Sequence, residues 1–111
     1  MATAFRVVLI TAPRGRKAEA LAKGLVKARL AACVNIVPAI VSHYAWKGKL
    51  CRDAESLLIV KTSAAKLAAL ERWVEKNHPY EVPEVIALKI DRGSSAYASW
   101  LAGELSSRIV R

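Results

Sequence analysis

Two soft donors, Cys33 and His78, and two nearby carboxylates, Glu81 and Glu84, are the residues of this chain best suited to holding a metal ion. Thiolate and imidazole suit copper and zinc, so Cys33, His78 and Glu84 form a candidate set for copper or another divalent cation. No Cys-x-x-Cys or His-x-x-x-His spacing reinforces it. Each residue also has an ordinary reading. A free cysteine usually behaves as a small buried hydrophobe, and a histidine before proline can close a helix C-terminus, where positive charge is favoured. His43 is a weaker ligand candidate on an exposed strand.

The segment His78 to Glu84 offers a second kind of chemistry. Pro79 and Pro83 fix their own φ and push His78 and Val82 towards extended geometry, so Tyr80, Glu81 and Glu84 project from a stiff loop. Stiff polar loops beside a sheet are common places for binding sites. With Tyr44, Trp46 and Lys61, the residues Tyr80 and Glu81 make a candidate small-ligand set. The competing use of Tyr44, Trp46 and Tyr80 is as rings buried between subunits, and the two uses are compatible. Lys61 either points at such a cleft or pairs with a carboxylate, the commoner outcome. Arg14 and Arg16 at the start of the first helix could hold an anion, although a solvated loop is the usual fate of such arginines.

These residues need a scaffold, and the pattern supplies one. Phe5 to Ala12 reads as a strand and Arg16 to Arg29 as an amphipathic helix with Ala18, Leu21, Ala22, Leu25 and Ala28 on one face. Cys33 to Trp46 is a second strand, bent near Pro38, and Leu50 to Thr62 a third. Ser63 or Thr62 is placed to cap a second helix whose stripe is Leu67, Leu70 and Val74, stopped by Asn77-His78-Pro79. Glu84 to Asp91 is a fourth strand. A short helix near Ala96 to Ala102 and a weak strand at Arg108 to Arg111 complete the order.

This β-α-β-β-α-β order predicts one α+β domain over residues 1–111, with a ferredoxin-like antiparallel sheet and both main helices on one face. The other face should then be polar in a monomer. Instead Val7 and Leu9 alternate with Val8 and Ile10, Leu57 and Ile59 with Leu58 and Val60, and Val85 and Ala87 with Ile86 and Leu88. Strands apolar on both parities are buried on both faces, so a homo-oligomer is expected.

The segments Arg29-Leu30-Ala31-Ala32-Cys33-Val34-Asn35-Ile36, Ser42-His43-Tyr44-Ala45-Trp46-Lys47-Gly48 and His78-Pro79-Tyr80-Glu81-Val82-Pro83-Glu84-Val85 occur in that order. With Thr11-Ala12-Pro13, Glu55 to Thr62 and Tyr97 to Leu101, they resemble the CutA family, the divalent-cation tolerance proteins, over roughly residues 6 to 101. The resemblance implies a ferredoxin-like homotrimer packed around its threefold axis, a cytoplasmic location, no established catalysis, and a link to copper and other divalent cations. It also implies a likeness to the trimeric PII signalling proteins. The chain departs from the pattern in Cys51, in the basic loop Arg14-Gly15-Arg16, and in its charge. Eighteen Lys and Arg against nine Asp and Glu give +9, where such proteins are typically acidic.

The first functional expectation is therefore a non-enzymatic trimer connected with divalent-cation tolerance. The second is a PII-like sensor using an intersubunit cleft, with a small anionic ligand among its candidate partners and no organic cofactor. The positive charge suggests RNA, but strand three carries no aromatic residue on which bases could stack, so no specific nucleic acid is expected. No nucleophile-base series is legible, which argues against an enzyme. The apolar runs are far shorter than the ~20 residues of a spanning helix, the start lacks the pattern of a signal peptide, and two cysteines in no metal or redox spacing suit a reducing compartment.

Overall fold

The computed structural model describes residues 4–106, and the weak strand expected at Arg108 to Arg111 lies outside them. The elements are β1 (Phe5–Ala12), α1 (Arg16–Lys27), β2 (Cys33–Trp46), β3 (Lys49–Ser63), α2 (Leu67–Asn77), β4 (Ile86–Lys89) and α3 (Ser95–Ser106). The sheet order is β2-β3-β1-β4, and every neighbouring pair is antiparallel.

Alternation divides the sheet residues. Val8, Ile10, Ala12, Leu58 and Val60 point to one side and are almost fully buried beneath Ala18, Leu21, Leu25, Leu70 and Val74 of α1 and α2. The spacing of Ala18, Leu21, Ala22 and Leu25 is that of a single helical stripe, which holds α1 on the sheet. On the other side Val7, Leu9, Leu57 and Ile59 are half-buried, while Ile86 and Leu88 remain 49% and 50% exposed. There α3 covers one end only: its Leu101 and Leu105 pack with Phe5, Ala32 and Ile90.

The β2–β3 hairpin outruns its neighbours. β1 pairs with β3 only from Ser56 to Ser63, so Lys49 to Glu55 pair with β2 alone as a two-stranded ribbon. The bend expected near Pro38 is a register shift between Val37 and Ile40, where the Ser56 hydroxyl donates to the Pro38 carbonyl at 2.9 Å. One extra residue reverses the alternation of β2. The side holding Cys33 and Asn35 before the shift therefore holds Ser42, Tyr44 and Trp46 after it. The ribbon closes at Lys47 and Gly48, both at positive φ (51° and 78°), as a two-residue primed hairpin turn requires.

Several boundaries differ from the sequence expectation, among them that of α3, which runs on to Ser106 rather than ending near Ala102. Neither Thr62 nor Ser63 caps α2: the Thr62 hydroxyl donates to the Leu30 carbonyl at 2.7 Å, and a 3-10 turn at Ala64–Lys66 leads into the helix. α1 stops at Lys27, and Arg29 turns the chain at φ 59°, its guanidinium held by the Glu104 carbonyl at 3.0 Å. β4 is shortened to Ile86–Lys89, because Pro83 and the loop before it keep Glu84 and Val85 off the ladder.

α1 and α2 meet at a glycine. A Cβ at Gly24 would sit 2.4 Å from Cζ2 of Trp73, inside contact distance. Gly24→Ala gains up to about 1 kcal/mol of helix propensity but must displace the indole, an overpacking cost of about 1–3 kcal/mol. Thermal melting at matched protein concentration should show a lower Tm for Gly24→Ala and recovery in Gly24→Ala/Trp73→Leu. A higher Tm for the single variant would mean that the ring yields freely.

Candidate functional site

The ribbon and the loop after α2 together enclose a groove. Ser42 is paired with Asp53, so Ser42, Tyr44 and Trp46 of β2 share a side with Asp53 and Glu55 of β3. Opposite them runs the loop Pro79 to Glu84. The cavity between is about 710 Å³ and is lined by Thr11, Ser42, His43, Tyr44, Trp46, Asp53 and Glu55, with Pro79, Tyr80, Glu81, Val82 and Glu84 of the loop.

The loop is held in place by His78. Its backbone is extended (φ −83°, ψ 140°), as a residue before proline should be, and its N–H still closes α2 on the Val74 carbonyl at 2.7 Å. The ring points inward and is only 8% exposed. Nδ1 accepts the Tyr80 backbone N–H at 3.1 Å, so Nε2 carries the proton and donates to the Thr11 carbonyl at 2.8 Å. Both nitrogens of this neutral imidazole are thus engaged, tying the loop to the end of β1.

Phenol–carboxylate pairs set the walls. Tyr80 donates to Glu55 Oε2 at 2.6 Å, and Tyr44 donates to Asp53. The hydrogen bond to Asp53 leads in pushing the Tyr44 hydroxyl up to about 12. Tyr80 is raised further, first by burial and then by Glu55. Tyr97, in the first turn of α3, is raised by burial and then by neighbouring Cys33. The Arg14 guanidinium, a candidate anion binder, donates instead to the carbonyls of Glu55 (3.3 Å) and Ile40 (3.4 Å), pinning the ribbon beside its bulge.

Of the residues singled out in the sequence, Tyr44, Trp46, Tyr80, Glu81 and Glu84 come together in the groove, and His78 stands behind its wall. Cys33 and Lys61 do not line it. They pair with each other across β2 and β3, and Lys61 pairs with Val7, four residues along β1 from Thr11. At the usual rise that is about 13 Å from where His78 docks. The Lys61 amine donates to Asn35 Oδ1 rather than to a carboxylate, and Cys33 lies 3.9 Å from the same oxygen. Cys33, His78 and Glu84 are therefore not assembled within one chain. Among the described residues no group of three or more His, Cys, Asp and Glu is arranged to hold a metal ion. Asp53 and Glu55 are the wall residues that sequence reasoning missed. Their signal was two carboxylates two apart on a strand, which alternation places on one side.

The groove is acidic on a basic chain: among the described residues four carboxylates face it, against the imidazole of His43. A four-stranded antiparallel sheet with two helices on one face and a third helix at one end of the other defines a ferredoxin-like α+β domain, with this groove beneath its ribbon. A sequence model of the family described as "CutA1 divalent ion tolerance protein" matches residues 6–104, and the chain belongs to that family. It is 50% identical over 95 residues to the "Divalent-cation tolerance protein CutA" of Thermus thermophilus, covering 86% of this chain and 92% of that protein. It is also 50% identical over 95 residues to "Protein CutA, chloroplastic" of Arabidopsis thaliana, covering 86% of this chain but 52% of that one, so it spans about half of that relative's length. Among solved structures, one titled "Periplasmic divalent cation tolerance protein CutA" from Archaeoglobus fulgidus superposes with TM-score 0.89 at 36% identity, covering 92% of this chain and 99% of that one.

All three tyrosines are shifted in one direction. A folded pKa above the unfolded value of about 10 contributes stability that is complete below that pH and is lost as pH rises through the folded pKa. Ultraviolet titration of the folded protein should show the phenols of Tyr44 and Tyr80 ionising well above pH 10. Asp53→Asn should bring one step back towards 10, whereas an ordinary titration in the parent protein would contradict the two pairs.

Proposed function

We propose that this protein is a non-enzymatic, trimeric cation-binding protein linked to divalent-cation tolerance, and that the groove is where cations are held. The observation that carries this reading is the charge of the groove, with four carboxylates concentrated on a chain of net charge +9. Such a site attracts cations and repels anions, so the small anionic ligand considered from sequence is set aside. The relatives' names supply the link to divalent ions.

Copper remains a candidate cargo, but its site is assigned to the groove carboxylates, Glu81 and Glu84 foremost. His78 has no free nitrogen, and Cys33 lies at the other end of the sheet. The trimer is supported by the open apolar side of the sheet and by Leu50, 88% exposed near the ribbon tip. A cytoplasmic location is supported by two free thiols, which suit a reducing compartment. No helix among the described residues is long and apolar enough to cross a membrane. A second reading, a PII-like small-ligand sensor, is favoured by the groove's size: about 710 Å³ falls within the ~300–1,000 Å³ of small-molecule sites.

Calorimetric titration with Cu2+ and Mn2+ tests the assignment. Glu81→Gln/Glu84→Gln should weaken binding roughly tenfold or more, the scale of losing one or two charge-assisted contacts, and Cys33→Ser should leave it unchanged. His78→Ala should weaken it through the loop, and should cost about 1–3 kcal/mol of stability by orphaning the Thr11 carbonyl and Tyr80 N–H. Binding abolished by Cys33→Ser and intact in the double variant would sink the assignment.

A further inference from the structure

We propose that the outer surface of the α1–α2 layer binds duplex nucleic acid without regard to sequence, through the phosphate backbone. Helical geometry sorts the charges of this layer. Trp73 of α2 faces Gly24 of α1, and each helix turns away from that contact by about 100° per residue. On α1, Lys17 stands beside Gly24. Arg16, Lys23 and Lys27 follow on the crest, away from the buried stripe of Ala18, Leu21, Ala22 and Leu25. On α2, Lys76 and Arg72 lie on the Trp73 side, about 60° and 100° round from the ring. Glu71 and Glu75 are about 160° from it on the far flank, and Glu19 is about 140° from Gly24 on the far flank of α1. Six cations of the two helices thus share the seam and crest, and their three carboxylates are set at the rims.

All six cations are exposed, and among the described residues none of them takes part in an ion pair or a side-chain hydrogen bond. Glu19 precedes Lys23 by four residues and Glu75 follows Arg72 by three, yet neither pair closes. The layer covers the side of the sheet opposite the open apolar one, so an assembly built on that open side leaves these residues in solvent. Like charges gathered in this way repel one another. A polyanion removes the repulsion, and its own condensed counterions are released as it binds.

The character of the layer selects the polyanion. Neither α1 nor α2 exposes a large apolar side chain, because their apolar stripes are spent on the sheet. A helix that settles into a membrane surface needs such an apolar face outward. A site for single strands needs open rings on which bases stack, and the ring of this layer, Trp73, is packed on Gly24. Contacts to the phosphates of a duplex need neither. The crest from Arg16 to Lys27 is about 16 Å long, a length over which a duplex carries on the order of nine phosphates.

The test is fluorescence anisotropy of labelled duplex DNA of mixed sequence, titrated with the intact protein over a salt series. The logarithm of the affinity should fall against log salt with a slope of about −3, the value for three or four phosphate contacts. A second sequence should bind within about twofold of the first. Lys23→Gln/Lys27→Gln should weaken binding about tenfold and bring the slope about two units nearer zero. Lys89→Gln/Arg92→Gln removes the same charge beyond the helices and should leave affinity within about twofold. All four positions are exposed, so the fold is not at stake. No binding at about 50 mM salt would overturn the proposal. Equal losses in the two variants would also overturn it, by tracing the attraction to total charge. Tighter binding of a single strand of the same length would overturn the choice of a duplex. Capture by phosphatidylserine-containing vesicles without duplex binding would overturn it in favour of a membrane surface.

Discussion

Everything in this structure answers to one constraint: the sheet is apolar on both sides, and α1 and α2 cover only one. Burial of Val8, Ile10, Leu58 and Val60 beneath the helices forms the core of the chain. Among the described residues the second side has α3 at the Phe5 end and nothing comparable over Val7, Leu9, Ile59 and Leu88. At about 25 cal/mol per Å² of apolar surface, leaving such residues in water forgoes stabilisation that a second copy of the chain can supply. The ribbon sharpens the demand, since a hairpin paired with no third strand is marginal in water. Val41, Tyr44, Trp46 and Leu50 are exposed on it.

The groove inherits its geometry from the same layout. Because the bulge between Val37 and Ile40 reverses the alternation of β2, Tyr44 and Trp46 arrive on the side that carries Asp53 and Glu55. Arg14 holds the bulged region through two carbonyls, and Ser56 holds it through a third. From the other direction His78 fastens the loop to β1, and Tyr80 reaches Glu55. The site is thus held by backbone contacts on both walls, with its carboxylates left to face the cavity.

The sequence made the scaffold legible wherever hydrophobic period and prolines acted alone. β1 was recoverable to the residue and β2 with its bend, because β-branched alternation and Pro38 permit little else. The start of α2 was not, because the Thr62 hydroxyl serves Leu30, thirty-two residues away in the chain. The same contrast runs through the site. The Pro79–Pro83 loop announced Tyr80, Glu81 and Glu84 by stiffness. Asp53 and Glu55 read as ordinary strand charges until the register placed them opposite that loop. Cys33, His78 and Lys61 were plausible by chemistry alone. Only three-dimensional placement shows the imidazole satisfied within the chain, and the thiol and amine beside Asn35, away from the groove.

The central claim is that the bare side of the sheet is covered by further copies of the same chain. Native mass spectrometry of the purified protein, over a dilution series reaching nanomolar concentration, tests it most directly. The account predicts a single species of three chains that persists on dilution, as a large apolar interface should. A folded monomer at micromolar concentration would contradict it, because the second side of the sheet would then be stable in water.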